Sequence, residues 1–259
     1  MKKLDRLKSI LRQYRGAVVA FSGGVDSTFL LRIAKDVLED RLIAVTAVSP
    51  LQPKSEIRNA VRIARRMKVK HVKCAIDILR EKEVRTNPVN RCYHCKMTLL
   101  RKLKSIAAEH DYVVIEATNR SDLKDHRPGL DAIKRLRIKS PLMMAGFTKD
   151  DIRRAARRRG LLNWNEPSMA CLASRIPYGQ PITISRLRRI DNAENYLRRI
   201  GFSPVRVRDH FPTARIEVNA SDFKKLISQR KKVVAYLRGS GYKHIALDLA
   251  GYRTGSLNP

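Results

Sequence analysis

The stretch Ala17-Val18-Val19-Ala20-Phe21-Ser22-Gly23-Gly24-Val25-Asp26-Ser27-Thr28-Phe29-Leu30-Leu31-Arg32-Ile33-Ala34 runs from an apolar segment through a glycine loop into a helical pattern. A buried strand, a tight turn and a helix start gather unpaired backbone N–H groups at the positive end of a helix dipole, and that is an anion site. Ser22 and Ser27 add hydroxyl donors, and Gly23 and Gly24 let the backbone approach an oxygen cluster that a side chain would block. The loop reads as a phosphate cradle. No lysine follows the glycines as a Walker loop requires, and the spacing does not match the dinucleotide fingerprint G-x-G-x-x-G.

The string Ser22-Gly23-Gly24-Val25-Asp26-Ser27 resembles the pyrophosphate loop of the N-type ATP pyrophosphatases. Those enzymes cut ATP between the α- and β-phosphates to adenylate an oxygen of a second substrate.

Outward from the loop, apolar strand patterns at Val18–Phe21, Leu42–Val48, His71–Ile76 and Tyr112–Ala117 alternate with helical patterns at Ser27–Val37, Lys54–Met67 and Lys96–His110. Such alternation predicts an α/β fold, a doubly wound parallel sheet with its ligand at the carboxyl ends of the strands. Beyond residue 175 the rhythm changes to a helix (Ser185–Ile200), two alternating strands (Val205–Asp209, Ala214–Val218), a helix (Ser221–Arg238) and a last strand (His244–Leu249). Two domains are therefore expected, 1–175 carrying the phosphate loop and 176–259 a small α+β domain, joined at Pro177-Tyr178-Gly179-Gln180-Pro181.

No apolar run approaches a membrane span, and the charged start Met1-Lys2-Lys3-Leu4-Asp5-Arg6-Leu7 lacks the apolar core of a secretory signal, so a cytoplasmic location is expected. Lys and Arg number 55 against 24 Asp and Glu, a net charge of +31 that attracts polyanions. The cations are spread over helical faces (Arg58, Arg62, Arg65, Arg66; Arg153, Arg154, Arg157, Arg158, Arg159), the usual pattern of a solvated surface, and no RNA-binding signature accompanies them.

Of four cysteines, Cys74 sits inside a strand pattern and reads as a small buried hydrophobe. Cys92 and Cys95 form Arg91-Cys92-Tyr93-His94-Cys95-Lys96 at a helix start, where backbone N–H groups and the neighbouring cations favour thiolates, and Cys171 follows far downstream. Three readings stand side by side. A reducing compartment argues against a disulfide. Structural zinc needs a fourth ligand such as His94 or His110, whereas an iron–sulfur cluster takes three thiolates and keeps one open position.

The strings Ala44-Val45-Thr46-Ala47-Val48-Ser49-Pro50, Asn90-Arg91-Cys92-Tyr93-His94-Cys95-Lys96, Thr118-Asn119, Arg127-Pro128-Gly129-Leu130, Ala170-Cys171-Leu172-Ala173-Ser174-Arg175-Ile176-Pro177, Val205-Arg206-Val207-Arg208, Ala214-Arg215-Ile216-Glu217-Val218 and Gly251-Tyr252-Arg253-Thr254-Gly255-Ser256 occur in that order behind the glycine loop. Together they resemble the LarE family of ATP-dependent sulfur transferases almost end to end. The resemblance implies adenylation of a carboxylate on a pyridinium biscarboxylic acid mononucleotide and replacement of oxygen by sulfur, a step in nickel-pincer cofactor synthesis. It also implies a homo-oligomer and a sulfur donor that the sequence leaves unnamed. Two sulfur routes exist in the family: a sacrificial cysteine at the position of Cys171, or a [4Fe-4S] cluster on three cysteines. The presence of Cys92, Cys95 and Cys171 together favours the cluster.

Under that resemblance Ser22, Gly23, Gly24, Asp26 and Ser27 hold ATP phosphates, with Asp26 toward Mg²⁺. Thr46 and Val48 line the adenosine pocket, and Thr118, Asn119 and Asp122 approach the α-phosphate; the family more often has Asp-Gly where this chain has Glu116-Ala117. Ser174, Arg175, Arg206, Arg208 and Arg253 meet the small acidic nucleotide substrate, since guanidinium forks match phosphate and carboxylate, and Glu217 orients one of the arginines. Plain readings compete: Arg206 and Arg208 as a solvent face, Ser174-Arg175 as a turn, Thr46 and Val48 as ordinary strand residues, His94 as packing. Two other functions compete as well, a tRNA-thiolating enzyme of the same loop class and a non-catalytic RNA-associated ATP-binding protein.

Overall fold

The computed structural model describes residues 2–124, 128–166 and 170–253. Arg127, Thr254, Gly255 and Ser256, quoted above, lie outside the described residues. In chain order the elements are α1 (Lys2–Arg12), β1 (Ala17–Ala20), α2 (Val25–Leu38), β2 (Leu42–Val48), α3 (Lys54–Arg66), β3 (Lys70–Ala75), α4 (Lys82–Arg85), α5 (Arg91–Ala108) and β4 (Val113–Ile115). They continue with α6 (Pro128–Arg135), α7 (Pro141–Met144), α8 (Lys149–Arg158), α9 (Ile184–Arg199), β5 (Val205–His210), β6 (Thr213–Val218), α10 (Phe223–Ser228), α11 (Arg230–Gly239) and β7 (His244–Leu247). Contacts divide the chain into two units, Met1–Ile78 with Asn90–Met169, and Leu79–Val89 with Ala170–Pro259.

The first unit is the parallel α/β sheet that the alternation predicts, in the order β3-β2-β1-β4. β1 is central, pairing Val18 with Ile43 on one side and with Val114 on the other. Covered on both faces, it is apolar throughout rather than alternating, as a buried parallel strand must be. The chain leaves β1 toward β2 and β3 on one side and returns to β4 on the other, so the strand order reverses between β1 and β4. Ligands settle at such a reversal, outside the carboxyl ends of the strands. The loop 21–24 after β1 and the segment 116–122 after β4 both end there.

α2 buries Phe29, Leu30, Leu31, Ile33 and Ala34 because it packs against the sheet, α1 and α8. At its entrance Gly23 has φ +80, and a Cβ there would come within 3.0 Å of the Ala60 backbone on α3. Conformation and space both demand glycine at that position. Gly24, the residue before α2, has φ −72, which any residue adopts, so only one of the paired glycines is required by its backbone angles.

The second unit has a three-stranded sheet in the order β5-β6-β7, antiparallel between β5 and β6 and parallel between β6 and β7. α9 covers it through Ala193 and Leu197, over Val205, Val207, Ile216 and Val218. The helix expected over Ser221–Arg238 is broken at Gln229, where the run Ser228-Gln229-Arg230-Lys231-Lys232 offers no apolar residue to continue a buried face. The last strand stops at Leu247 because Asp248 begins a turn, accepting from Ala250 N and Gly251 N.

Among the described residues no helix is long and apolar enough to cross a membrane.

Candidate active site

In the first unit the phosphate loop is tied to itself. Ser27 Oγ donates to the Gly24 carbonyl at 3.0 Å, and Ser22 Oγ, 3.1 Å from Ser27 Oγ, accepts in turn from Gly24 N at 3.3 Å. The hydroxyls therefore shape the loop, while the first amides of α2 lack carbonyl partners one turn back and remain its anion-facing donors. Asn163 braces the loop from outside, donating to the Gly23 carbonyl at 2.8 Å and to Thr28 Oγ1 at 3.0 Å. Its isolated position in the sequence carried no motif.

Asp26 sits on the first turn of α2. Its Oδ2 accepts from Lys149 Nζ at 2.5 Å, and its Oδ1 is buried with no hydrogen-bond partner. Burial pushes its carboxyl above the ordinary value against the opposing pull of Lys149; nearby Asp122 adds to the rise and Arg153 reduces it. A cation and two carboxylates thus converge beside the loop. Lys149 is placed by its helix: Thr148 caps α8, accepting from Asp151 N while Asp151 Oδ2 accepts from Thr148 N, so Lys149 occupies the first turn. Arg153, read from sequence as part of a solvated face, is instead half-buried beside Asp26 with its Nε unpartnered, whereas Arg154, Arg157 and Arg158 are exposed. The visible signal for Lys149 was the capping pattern Thr148-Lys149-Asp150-Asp151 at a helix start.

Across the reversal, Asn119 N donates to Asp122 Oδ2 at 3.0 Å and Asn119 Oδ1 accepts from Ser121 N at 2.9 Å. Asn119 is 1% exposed and its Nδ2 has no partner. Thr118 is buried and bonded to Glu116. Thr46 Oγ1 on β2 donates to the Phe21 carbonyl at 2.8 Å and therefore accepts from His71 Nε2, also at 2.8 Å. Val48, at the end of the same strand, is half-buried. The structure brings Asp26, Asp122 and the Thr118-Asn119 pair to one reversal point, with Lys149 and Arg153 added.

Cys92 and Cys95 occupy the first turn of α5, Cys92 exposed and Cys95 half-buried, with Arg91 Nη2 3.8 Å from Cys92 Sγ. His94 packs edge-on against Tyr93 at 5.2 Å between ring centres. Cys74 is buried in β3 as expected. Among the described residues no group of three or more His, Cys, Asp or Glu side chains is gathered as a metal site.

In the second unit Cys171 is half-buried and its carbonyl is held by Ser174 N, Ser174 Oγ and Arg175 Nη1. Arg175 is 1% exposed, forked onto Glu194 at 2.8 and 3.0 Å. Burial pushes the Glu194 carboxyl up, but Arg175, with Arg206 and Arg198 behind it, outweighs burial and holds it below the ordinary range. Arg208 is forked onto Glu217 at 2.8 and 2.7 Å and donates to the Ser174 carbonyl at 2.9 Å. The solvent-face reading of Arg206 and Arg208 therefore fails: Arg208 is buried, and the half-buried Arg206 lies 5.3 Å over the Tyr252 ring, its pKa lowered by burial and then by Arg175. Arg253 is exposed. Cys171, Ser174, Arg175, Arg208 and Glu217 thus form one connected group, with Glu194 added. Glu194 was missed, although a carboxylate in line with Leu187, Ile190 and Leu197 on one helix face was a signal that could have found it.

The parallel sheet, the glycine loop at its reversal point and the acidic and amide groups facing that loop define a pyrophosphatase-loop nucleotide enzyme. The NAD synthase family model matches residues 3–124. The chain is 34% identical, over 99% of its length and 94% of the other's, to the pyridinium-3,5-bisthiocarboxylic acid mononucleotide synthase of Lactiplantibacillus plantarum. It is 36% identical over 99% of its length to an uncharacterized protein of Synechocystis sp., covering 97% of that protein. A glutamine-hydrolyzing GMP synthase of Aeropyrum pernix matches at 30% over 70% of this chain but only 39% of its own. The chain belongs to the LarE family and is an ATP-using, adenylating sulfur transferase. That sets aside the non-catalytic reading.

Proposed function

We propose that this protein converts carboxylates of pyridinium-3,5-biscarboxylic acid mononucleotide into thiocarboxylates during nickel-pincer cofactor synthesis. Family membership supports the substrate, since the L. plantarum relative is named for the bisthiocarboxylic product. One observation carries the chemistry: Asp26 Oδ1 and Asn119 Nδ2 are both buried without partners at the sheet's reversal point, an acceptor suited to a hard cation and a donor suited to phosphate. A substrate carboxylate oxygen attacks the α-phosphorus of ATP, the bond to the bridging oxygen breaks, and pyrophosphate leaves. Sulfur then adds to the acyl carbon, the carbon–oxygen bond breaks, and AMP departs.

The loop Ser22, Gly23, Gly24, Asp26 and Ser27 holds the phosphates, while Thr46 and Val48 line the adenosine pocket. Asp26, beside Asp122, is the residue that would hold Mg²⁺, which neutralises charge on the leaving pyrophosphate. Lys149 and Arg153 contribute fixed positive charge next to it. Ser174, Arg206 and Arg253 contact the acidic substrate. Arg175 and Arg208, each bound to a buried carboxylate, act by fixing the Cys171–Ser174 turn and adding positive field, with Glu217 orienting Arg208.

For the sulfur, Cys92 and Cys95, one turn apart with Arg91 beside them, suit a shared soft ion, and Cys171 would be the third thiol of a cluster. A [4Fe-4S] cluster held by these three cysteines would supply one open coordination position for sulfur. The second reading rests on the tightly fixed Cys171 backbone: its Sγ forms a thioester with the activated carbonyl, then the Cα proton and the Cβ–S bond are lost, leaving dehydroalanine and the thiocarboxylate.

Incubating anaerobically purified protein with the biscarboxylate substrate and MgATP should release AMP and pyrophosphate and yield a thiolated nucleotide by mass spectrometry. ADP release, or AMP release that does not depend on the pyridinium substrate, would overturn the proposal. A visible iron–sulfur absorption lost in Cys92→Ala supports the cluster; a colourless protein whose Cys171 loses the mass of H₂S on turnover supports the sacrificial route.

A further inference from the structure

Thr118 stands at the carboxyl end of β4, and its hydroxyl proton is already given away. Thr118 Oγ1 donates to Glu116 Oε2 at 2.7 Å, and Thr118 N donates to Glu116 Oε1 at 3.0 Å. Ser140 Oγ donates to the same Oε1, and Lys96 Nζ lies 3.6 Å from Oε2. A carboxylate paired with an ammonium only accepts, so the direction of each bond is fixed. What Thr118 Oγ1 has left is lone pairs. An unprotonated phosphate oxygen also only accepts, and two such acceptors facing each other repel. A group that brings its own proton fits Thr118 instead.

Asn119 offers the opposite polarity next to it. With Oδ1 occupied by Ser121 N, its buried Nδ2 is an unspent donor, and that is what a phosphate oxygen needs. The end of β4 therefore presents one acceptor and one donor side by side, and the acceptor exists because of Glu116.

We propose that Glu116 is a positioning residue that turns Thr118 into a hydrogen-bond acceptor, and that Thr118 receives an O–H donor of the MgATP complex, a ribose hydroxyl or a metal-bound water, while Asn119 takes phosphate. The proposal rests on the ATP-binding reading above. Lys96, four residues beyond Cys92 on α5, sets its ammonium 3.6 Å from Glu116 Oε2.

Calorimetric binding of ATP, 2′-deoxy-ATP and 3′-deoxy-ATP to the full chain, with a Mg²⁺ titration, tests it in wild type, Thr118→Val and Glu116→Gln. One lost neutral hydrogen bond corresponds to about 3- to 10-fold in affinity. If the donor is a ribose hydroxyl, wild type should lose that factor on the matching deoxy nucleotide. Thr118→Val should lose it on ATP itself and no longer distinguish the two. Glu116→Gln should follow although Thr118 is intact, because the new amide donates to Thr118 and reverses its hydroxyl. If the donor is a metal-bound water, both variants should instead need several-fold more Mg²⁺ while wild type binds all three nucleotides alike. Variants that keep wild-type nucleotide discrimination and Mg²⁺ dependence overturn the proposal, even if Glu116→Gln melts earlier, since a purely structural role moves stability alone. A wild type that binds no ATP overturns the nucleotide reading together with it; normal ATP binding with unchanged discrimination in the variants overturns this proposal only.

Discussion

Replacing Glu194 with Gln removes the charge from the most enclosed ion pair of the second unit and leaves its partner behind. Glu194 is fully buried and takes Arg175 at 2.8 and 3.0 Å, Arg198 at 2.6 Å and the Val207 amide at 3.1 Å. Arg198 keeps 31% of its side chain in solvent, so it recovers hydration when the charge goes. Arg175, 1% exposed, does not. Removing one member of a buried pair costs about 3 to 5 kcal/mol, and here the cost falls almost wholly on Arg175. The pH dependence has a definite sign. Arg175 holds the Glu194 carboxyl below its ordinary value, so the pair stabilises the folded state above the unfolded pKa, roughly 4.3, and that contribution fades as pH falls through the folded value. Urea unfolding followed by far-ultraviolet circular dichroism at neutral pH should show the full deficit in Glu194→Gln, and the gap from wild type should narrow as the medium is acidified. Joint replacement Arg175→Met with Glu194→Leu should recover much of the loss, because well-packed apolar residues need no charge compensation. A deficit below about 1 kcal/mol, or a gap that does not change with pH, would refute the reasoning.

Three further outcomes follow from the first unit. Lys149→Met should weaken ATP binding by roughly 10- to 100-fold, the range for a charge-assisted contact, and should move the acid limb of activity to higher pH, because removing the ammonium takes away the largest influence holding the Asp26 carboxyl down; an unmoved limb would sever Asp26 from that limb. Gly23→Ala should cost about 1 to 3 kcal/mol in thermal denaturation and abolish nucleotide binding, since φ +80 and the Ala60 backbone leave no room for a Cβ; normal ATP affinity would show that the loop relaxes freely. Asn163→Ala should raise KM for ATP several-fold with little change in kcat, since the buried amide braces the Gly23 carbonyl of the phosphate loop, and a pure kcat effect in steady-state assays would place it elsewhere.

The parallel sheet was legible because β1 and β2 are short apolar runs set among amphipathic helices, and the loop because its serines and glycines stand at a strand-to-helix junction. Two kinds of information were out of reach. Partners distant in sequence, such as Lys149 with Asp26 or Asn163 with Gly23, meet only after the chain folds, and neither lysine nor asparagine announces such a meeting. Burial was the other. Arg175 and Arg208 read as ligands for an anion, yet each guanidinium is neutralised by an internal carboxylate; Glu217 was expected to orient an arginine, but its burial with Arg208, and the whole Arg175–Glu194 pair, were not visible. Strand alternation at Val205-Arg206-Val207-Arg208 gave the correct period but could not tell a solvated face from one covered by the protein.

The central claim is that ATP activates a substrate carboxylate by α-phosphorus transfer before sulfur replaces its oxygen. Substrate carrying heavy oxygen in its carboxylates tests this directly, by mass analysis of every phosphorus-containing product. One labelled oxygen should appear in AMP for each sulfur inserted, with none in pyrophosphate. Label in orthophosphate, or thiolated product formed beside unlabelled AMP, would contradict the account.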